Sequence, residues 1–235
     1  VEEKMPGISR REFGLGLGMA AAAAMSASEA AEAQLVWAKK DWDESDFHKV
    51  LTEELGDTRQ VFDITSPEGL GIVKNALNGL EIGFDFHPSR IRTVAGLHGP
   101  ANFVTLNDTM WAKYRLGEFA KITDEQTGKA AIRNPFYKSQ FSPWALNGNP
   151  SDLNSAWHDA SVEGLQHRGV KFFGCHTALE FQVRELVKER GLSDEPETIV
   201  REMLANLVPG AKLVASMASA LVLLQSFAKY AYVKL

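Results

Sequence analysis

Cysteine is nearly missing from this chain: Cys175 is the single one among 235 residues. One thiol excludes an intramolecular disulfide, a cysteine-rich zinc site and the two-cysteine haem attachment motif, and it leaves a lone sulfur to account for. A basic excess is missing too. Lysine and arginine number 25 against 30 aspartates and glutamates, a formal charge of −5, so nothing in the balance invites nucleic acid. No apolar run reaches the roughly 20 residues of a membrane span. There is no HExxH or CxxC spacing, no phosphate loop, no serine–histidine–acid order and no internal repeat. What remains is ordinary for a folded domain, 45% hydrophobic and 23% charged, in a chain long enough for one sizeable core or for one domain plus extensions.

The first informative stretch is Ser9-Arg10-Arg11-Glu12-Phe13-Gly14-Leu15, which precedes a weakly apolar segment from Gly14 to Met25 and the small-residue site Ala31-Glu32-Ala33. Paired arginines, a Gly/Ala-rich apolar segment and an A-x-A site read together as a twin-arginine export signal. The expectation is a signal peptide over residues 1–33, export in the folded state, a periplasmic location and no membrane span after signal removal. Gly14-Leu15-Gly16-Leu17-Gly18 has the composition of a dinucleotide loop, but it follows no strand and lies inside the signal. No cofactor is expected from it. Residues 34–58 read as an arm that packs on the domain, with a short helix from Asp43 to Leu55.

From residue 59 onward strands alternate with helices. Gln60–Thr65 and Ile91–Leu97 are predicted strands. Between them Ser66-Pro67-Glu68 opens a helix with Leu70, Val73, Leu77 and Leu80 on its inner face. A further helix is predicted from Ala101 to Tyr114, with Phe103, Leu106, Met110 and Trp111 in the core. Residues 116–150 are rich in glycine and proline yet carry Phe136, Tyr137, Phe141 and Trp144. So long a segment implies a lid, a binding loop or an oligomer contact. Its aromatics predict order, covering either the Cys175 edge or a neighbouring subunit. Ser151-Asp152 then caps a predicted helix to Arg168. Val170–Phe173 is a buried strand, Ala178–Arg190 a helix stopped by Gly191, and Pro196–Asn206 a shorter one. Lys212–Ala215 is a strand, Met217, Leu221, Leu224 and Phe227 face inward from a helix, and Tyr230–Val233 closes the sheet. This alternation predicts an α/β fold, a three-layer αβα domain with a mainly parallel central sheet.

Cys175 falls where Gly174 breaks the strand and the helix begins. Ligands gather at that junction in an open α/β sheet, and the positive end of the helix dipole favours an anion there, of which a thiolate is one. The competing reading is a small buried apolar residue, since free cysteine is often core. His176 adjoins Cys175 in sequence, and His98 ends a second strand on the same edge. Either could pair with the thiol, while Asp63, Thr65 and Ser66 complete the rim. A metal reading would draw on Cys175, His98, His176 and His87, but no motif supports it and no metal is expected. His48, His158 and His167 are expected on solvated helix faces, and Asp152, Asp159 and Glu163 on a charged surface.

Several of these residues also carry a resemblance. The strand ending in His98-Gly99-Pro100, the approach Arg168-Gly169-Val170 to the cysteine strand, the turn Val208-Pro209-Gly210 and the closing Tyr230-Ala231-Tyr232-Val233-Lys234 follow one another as in the DsrE/DsrF-like family of sulfur-relay proteins. From Arg59 to the end, about three quarters of its length, the chain resembles that family. The resemblance implies a single α/β domain over residues 59–235, homo-oligomers, and a persulfide carried on a cysteine at the position of Cys175. It also implies a protein that gives or receives sulfur as partner. The chain departs from the cytoplasmic relay proteins in its export signal and in the aromatic insertion at 116–150. Two functions therefore stand at this point. One is a periplasmic sulfur-handling protein with Cys175, His98 and His176 as catalytic residues. The other is a non-catalytic binding or assembly subunit on the same scaffold.

Overall fold

The computed structural model describes residues 43–53, 58–141 and 143–235. The twin-arginine motif, the Ala31–Ala33 site and the start of the arm lie outside the described residues. Helix α1 spans Ser45–Thr52 and buries Phe47 and Val50. Five strands, β1 (Thr58–Ile64), β2 (Ile91–Leu97), β5 (Val170–Cys175), β6 (Ala211–Val214) and β7 (Ala231–Lys234), form one sheet in the order β6-β5-β2-β1-β7. Every pairing in it is parallel. Parallel strands need crossovers, and these place helices on both faces, which is why consecutive residues are buried from Val61 to Ile64 in β1 and from Thr93 to Leu97 in β2. The fold is a three-layer αβα domain.

One face of the sheet presents Phe62, Ile64, Ala95, Leu97 and Phe172 to α2 (Gly69–Asn78), to a 3₁₀ turn over Gly99–Thr105 and to α5 (Val162–His167). The other presents Val61, Val94, Phe173 and Val214 to α1 and to α8 (Met217–Ser226). A third cluster joins α3 (Asp108–Tyr114), α6 (His176–Arg190) and α7 (Pro196–Leu204) around the fully buried Trp111. Gly191, at φ +59°, ends α6 in the left-handed conformation that lets a helix stop on glycine.

Three predicted helices differ from the observed ones. The expected helix over 101–114 is interrupted. The 3₁₀ turn ends at Thr105, Leu106 bridges Leu207, and α3 starts afresh with the Asn107 side chain accepting the Met110 N–H. The expected helix over 151–168 shrinks to α5, capped by Ser161 rather than Ser151. Its would-be middle is unwound by Asp159. That carboxylate accepts from the Ser139 hydroxyl at 2.6 Å, the Trp144 indole at 3.0 Å and the Ser161 N–H at 2.8 Å, bonds that compete with helix formation. Asp159 is buried rather than a surface charge. Phe227, expected inside, is 74% exposed, because α8 ends at Ser226 and the chain turns away at the residue that would have continued its inner face.

The 116–150 segment carries a short helix α4 (Leu116–Phe119) and a two-stranded hairpin of β3 (Thr123–Asp124) with β4 (Lys129–Ala130). Asn134 then ties it to the 3₁₀ turn through the carbonyls of Val104 and Leu106. Phe136 packs on Trp111, and Trp144 stacks on His167 at the end of α5. Its later half thus runs along α5 toward the amino ends of β2 and β5 rather than over the Cys175 edge.

Candidate functional site

Parallel strands all deliver their carboxyl ends to one edge, and here that edge collects the polar residues of the α8 face. Side chains alternate across a strand, so Val61 and Asp63 share a face, as do Val94 and His98, and Phe173 and Cys175. The pairing of Leu97 with Gly174 carries on to set His98 beside Cys175. Asp63 lies on the next strand and Tyr232 on the one beyond, so a row of polar side chains crosses β5, β2, β1 and β7.

Cys175 is the residue that caps α6. Its sulfur accepts the N–H of Ala178, two residues inside the helix, at 3.4 Å. It also accepts the N–H of Met217, the first residue of α8, at 3.3 Å. The amino ends of two helices thus converge on one sulfur, the place usually held by a serine or aspartate oxygen. Thr177 holds the two helix starts together, its N–H and its hydroxyl both donating to the Ala215 carbonyl, at 3.2 and 2.6 Å. The Cys175 residue is 7% exposed.

The backbone of Cys175 is gripped by Asn102. Its Oδ1 accepts the Cys175 N–H at 2.9 Å, and its Nδ2 donates to the Cys175 carbonyl at 3.0 Å and to Gln182 Oε1 at 3.2 Å. Gln182 in turn donates to the Gly99 carbonyl at 2.7 Å. Gly174 is what lets Asn102 in, since a β-carbon there would lie 2.7 Å from Asn102 Oδ1. Gly96 makes similar room for the Met217 side chain, whose sulfur would lie 2.6 Å from a β-carbon at that position.

His98 does not bond the sulfur. Its Nε2 lies 2.6 Å from Asp63 Oδ1, and the other oxygen of that carboxylate accepts the Tyr232 hydroxyl at 2.7 Å. Burial opposes the charge on Asp63, but the hydrogen bonds from His98 and Tyr232, with the charges of His98 and Lys234, outweigh it and hold the carboxyl below the usual range. The same bond to Asp63, with some burial, pushes Tyr232 up to about 12. His176 points elsewhere. It is buried, with Nδ1 3.1 Å from Glu180 Oε1 one turn along α6.

The remaining rim residues have partners of their own. Thr65 donates to the carbonyl of Leu235 at 3.2 Å, and Ser66 bonds Glu68. His87 pairs with Ser89 at 2.8 Å, remote from the carboxyl edge. Among the described residues no three His, Cys, Asp or Glu side chains converge to hold a metal ion, and no helix is long and apolar enough to cross a membrane.

The structure therefore gathers Cys175, His98 and Asp63 on one edge and face, and places His176 beside them with a different partner. Asn102, Tyr232 and the Met217 amide are the participants that the sequence reading overlooked. Asn102 had left a trace, a lone amide inside the apolar run Ala101–Leu106. The Met217 amide had none, because a backbone donor belongs to no residue type. Compared with family models, curated proteins and solved structures, the chain matches none.

Proposed function

We propose that this protein is a periplasmic, DsrE-like sulfur carrier that holds sulfane sulfur as a persulfide on Cys175. The observation that carries the reading is the convergence of two helix amino ends on the Cys175 sulfur. The positive ends of backbone dipoles face that sulfur, an arrangement suited to anionic sulfur, thiolate and persulfide alike. In the loading step the Cys175 thiolate attacks the outer sulfur of a donor persulfide. A new S–S bond forms on Cys175, the donor's S–S bond breaks, the proton stays on the transferred sulfur, and the donor's inner sulfur departs with the electron pair as a thiolate. His98 stands next in the row with Nδ1 bonded to no described residue. Asp63 holds its Nε2, which leaves Nδ1 to take or return a proton at the edge. Export in the folded state follows from the paired arginines, and homo-oligomers and a sulfur-donating or sulfur-accepting partner follow from the family resemblance.

A second reading, a non-catalytic binding or assembly subunit, draws on the burial of the sulfur and on its work as a structural cap for α6. One experiment separates the two. The native protein is incubated with a persulfide donor and weighed intact beside Cys175→Ser, which keeps a capping atom at the same position. Addition of sulfur to the native chain and none to Cys175→Ser supports the carrier. No addition, or equal addition to both, rejects it. A thiol that alkylates only in denaturant favours the scaffold.

A further inference from the structure

We propose that a second binding site lies at the opposite edge of the sheet, in a cleft of about 450 Å³ at the amino ends of β2 and β5 that takes a small organic anion with a flat apolar body. Its floor is Ile91, Arg92 and Thr93 from β2 with Gly169 and Lys171 at the start of β5. Lys171 and Cys175 stand four residues apart on one strand, about 13 Å at 3.3 Å per residue. A small ligand in the cleft therefore does not touch the sulfur, and this site is independent of the persulfide reading.

The charge of the ligand follows from which partners are already taken. Both carboxylates of the lining are engaged by cations, Glu53 by Arg92 at 3.3 Å and Glu81 by Arg168 at 2.9 Å. Lys171 has no carboxylate partner among the described residues, so the cleft carries a spare positive charge. One polar side-chain group of the lining besides Lys171 is open to a ligand there. Tyr230 is 5% exposed and lines the cleft with its hydroxyl bonded to no described residue. Burial pushes that hydroxyl up to about 12, so it remains a donor at neutral pH. A donor that lines a cleft without a protein partner is free to meet a ligand or water.

The shape of the ligand follows from the wall. The rings of Trp144 and His167 stack 5.4 Å apart at an interplanar angle of 7°, and the Trp144 indole is anchored to Asp159. Both rings line the cleft beside Leu146. A flat apolar body lies against that wall while its carboxylate or phosphate meets Lys171 and the Tyr230 hydroxyl. The volume is that of a small-molecule pocket, too small for a polymer to enter.

The test uses benzoate, acetate and benzylamine as probes, titrated into nitrogen-labelled full-length protein and followed by NMR. Benzoate is expected to shift the amides of Gly169 and Lys171 and the Trp144 indole saturably. Acetate, lacking the ring, binds at least about tenfold more weakly, and benzylamine, with the opposite charge, leaves the cleft unmoved. Lys171→Ala, at an exposed position that should not disturb folding, weakens benzoate by a similar factor, and Lys171→Glu abolishes it. The proposal is overturned if benzoate produces no saturable shift at these residues, if benzylamine matches it, or if both Lys171 variants bind benzoate as the native chain does.

Discussion

Asn102 holds the backbone of Cys175 from both sides, accepting its N–H at 2.9 Å and donating to its carbonyl at 3.0 Å. The side-chain amide thereby acts as one more rung of the sheet at the point where β5 stops and α6 begins. Asn102→Ala would leave the buried N–H and carbonyl of Cys175 without these partners. Each orphaned group costs about 1–3 kcal/mol. Urea unfolding should therefore show a loss of several kcal/mol. A loss within experimental error would mean that the amide is not part of what fixes the cysteine.

Gly174→Ala tests the same contact from the other side. The added carbon would meet Asn102 Oδ1 at 2.7 Å, Thr105 Cγ2 at 3.2 Å and Leu213 Cδ1 at 3.3 Å. Overpacking of this kind costs about 1–3 kcal/mol. Because it displaces Asn102, the variant should also alkylate Cys175 faster than the native chain does. Unchanged stability with an unchanged labelling rate would contradict the packing described.

Cys175 is both the proposed carrier and the cap of α6, and substitutions separate the two roles. Serine supplies an oxygen that caps well, whereas alanine supplies nothing to the N–H groups of Ala178 and Met217. Loss of an N-cap costs about 0.5–2 kcal/mol. The expected order of stability in thermal unfolding places Cys175→Ser above Cys175→Ala, while neither carries sulfur. Equal stability of the two variants would remove the sulfur from its capping role.

The Asp63 pair with His98 and Tyr232 makes a prediction with a definite sign. Asp63 is held below its ordinary 3.8, so the stability it adds is present above that value and is lost as pH falls through the lower folded-state one. Asp63→Asn should be less stable at neutral pH by about 1.5–3 kcal/mol, the range for hydrogen bonds to a charged group. The gap should narrow in acid. At the alkaline end, Tyr232 is pushed from 10.0 to about 12. Its contribution is present below 10.0 and lost as pH rises toward 12. In Asp63→Asn an absorbance titration, with Tyr232→Phe identifying the ring, should show its ionisation moving back toward the ordinary value. No movement would contradict the hydrogen bond.

Much of the frame was legible because it rests on local pattern. The strand Ile91–Leu97 has the predicted bounds, and the cysteine strand with its following helix ends where Gly191 says it should. Leu70, Val73 and Leu77 are buried as their spacing implies. Two of the three departures share a cause, the third being Phe227, which falls just past the end of α8. Asp159 and Asn107 bend the chain through bonds to their own neighbourhood, and whether a polar side chain takes such a bond or points to water depends on what packs above it. Of the edge, His98 and Asp63 were foreseen because they end adjacent strands. Tyr232 shows in the sequence only as part of the last strand, since its reach to Asp63 depends on β7 lying beside β1, a contact between residues 169 apart in sequence.

Whether the native fold loads sulfur on Cys175 is the question that decides the account. The folded protein is treated with a persulfide donor, freed of excess donor without denaturant, and reacted with cyanide, which removes sulfane sulfur as thiocyanate. The account predicts thiocyanate released in proportion to the protein chain, regeneration of the free Cys175 thiol, and no release from Cys175→Ser. Release that occurs only after the chain is unfolded, or that is undiminished in Cys175→Ser, would contradict it and leave Cys175 as the structural cap of two helices.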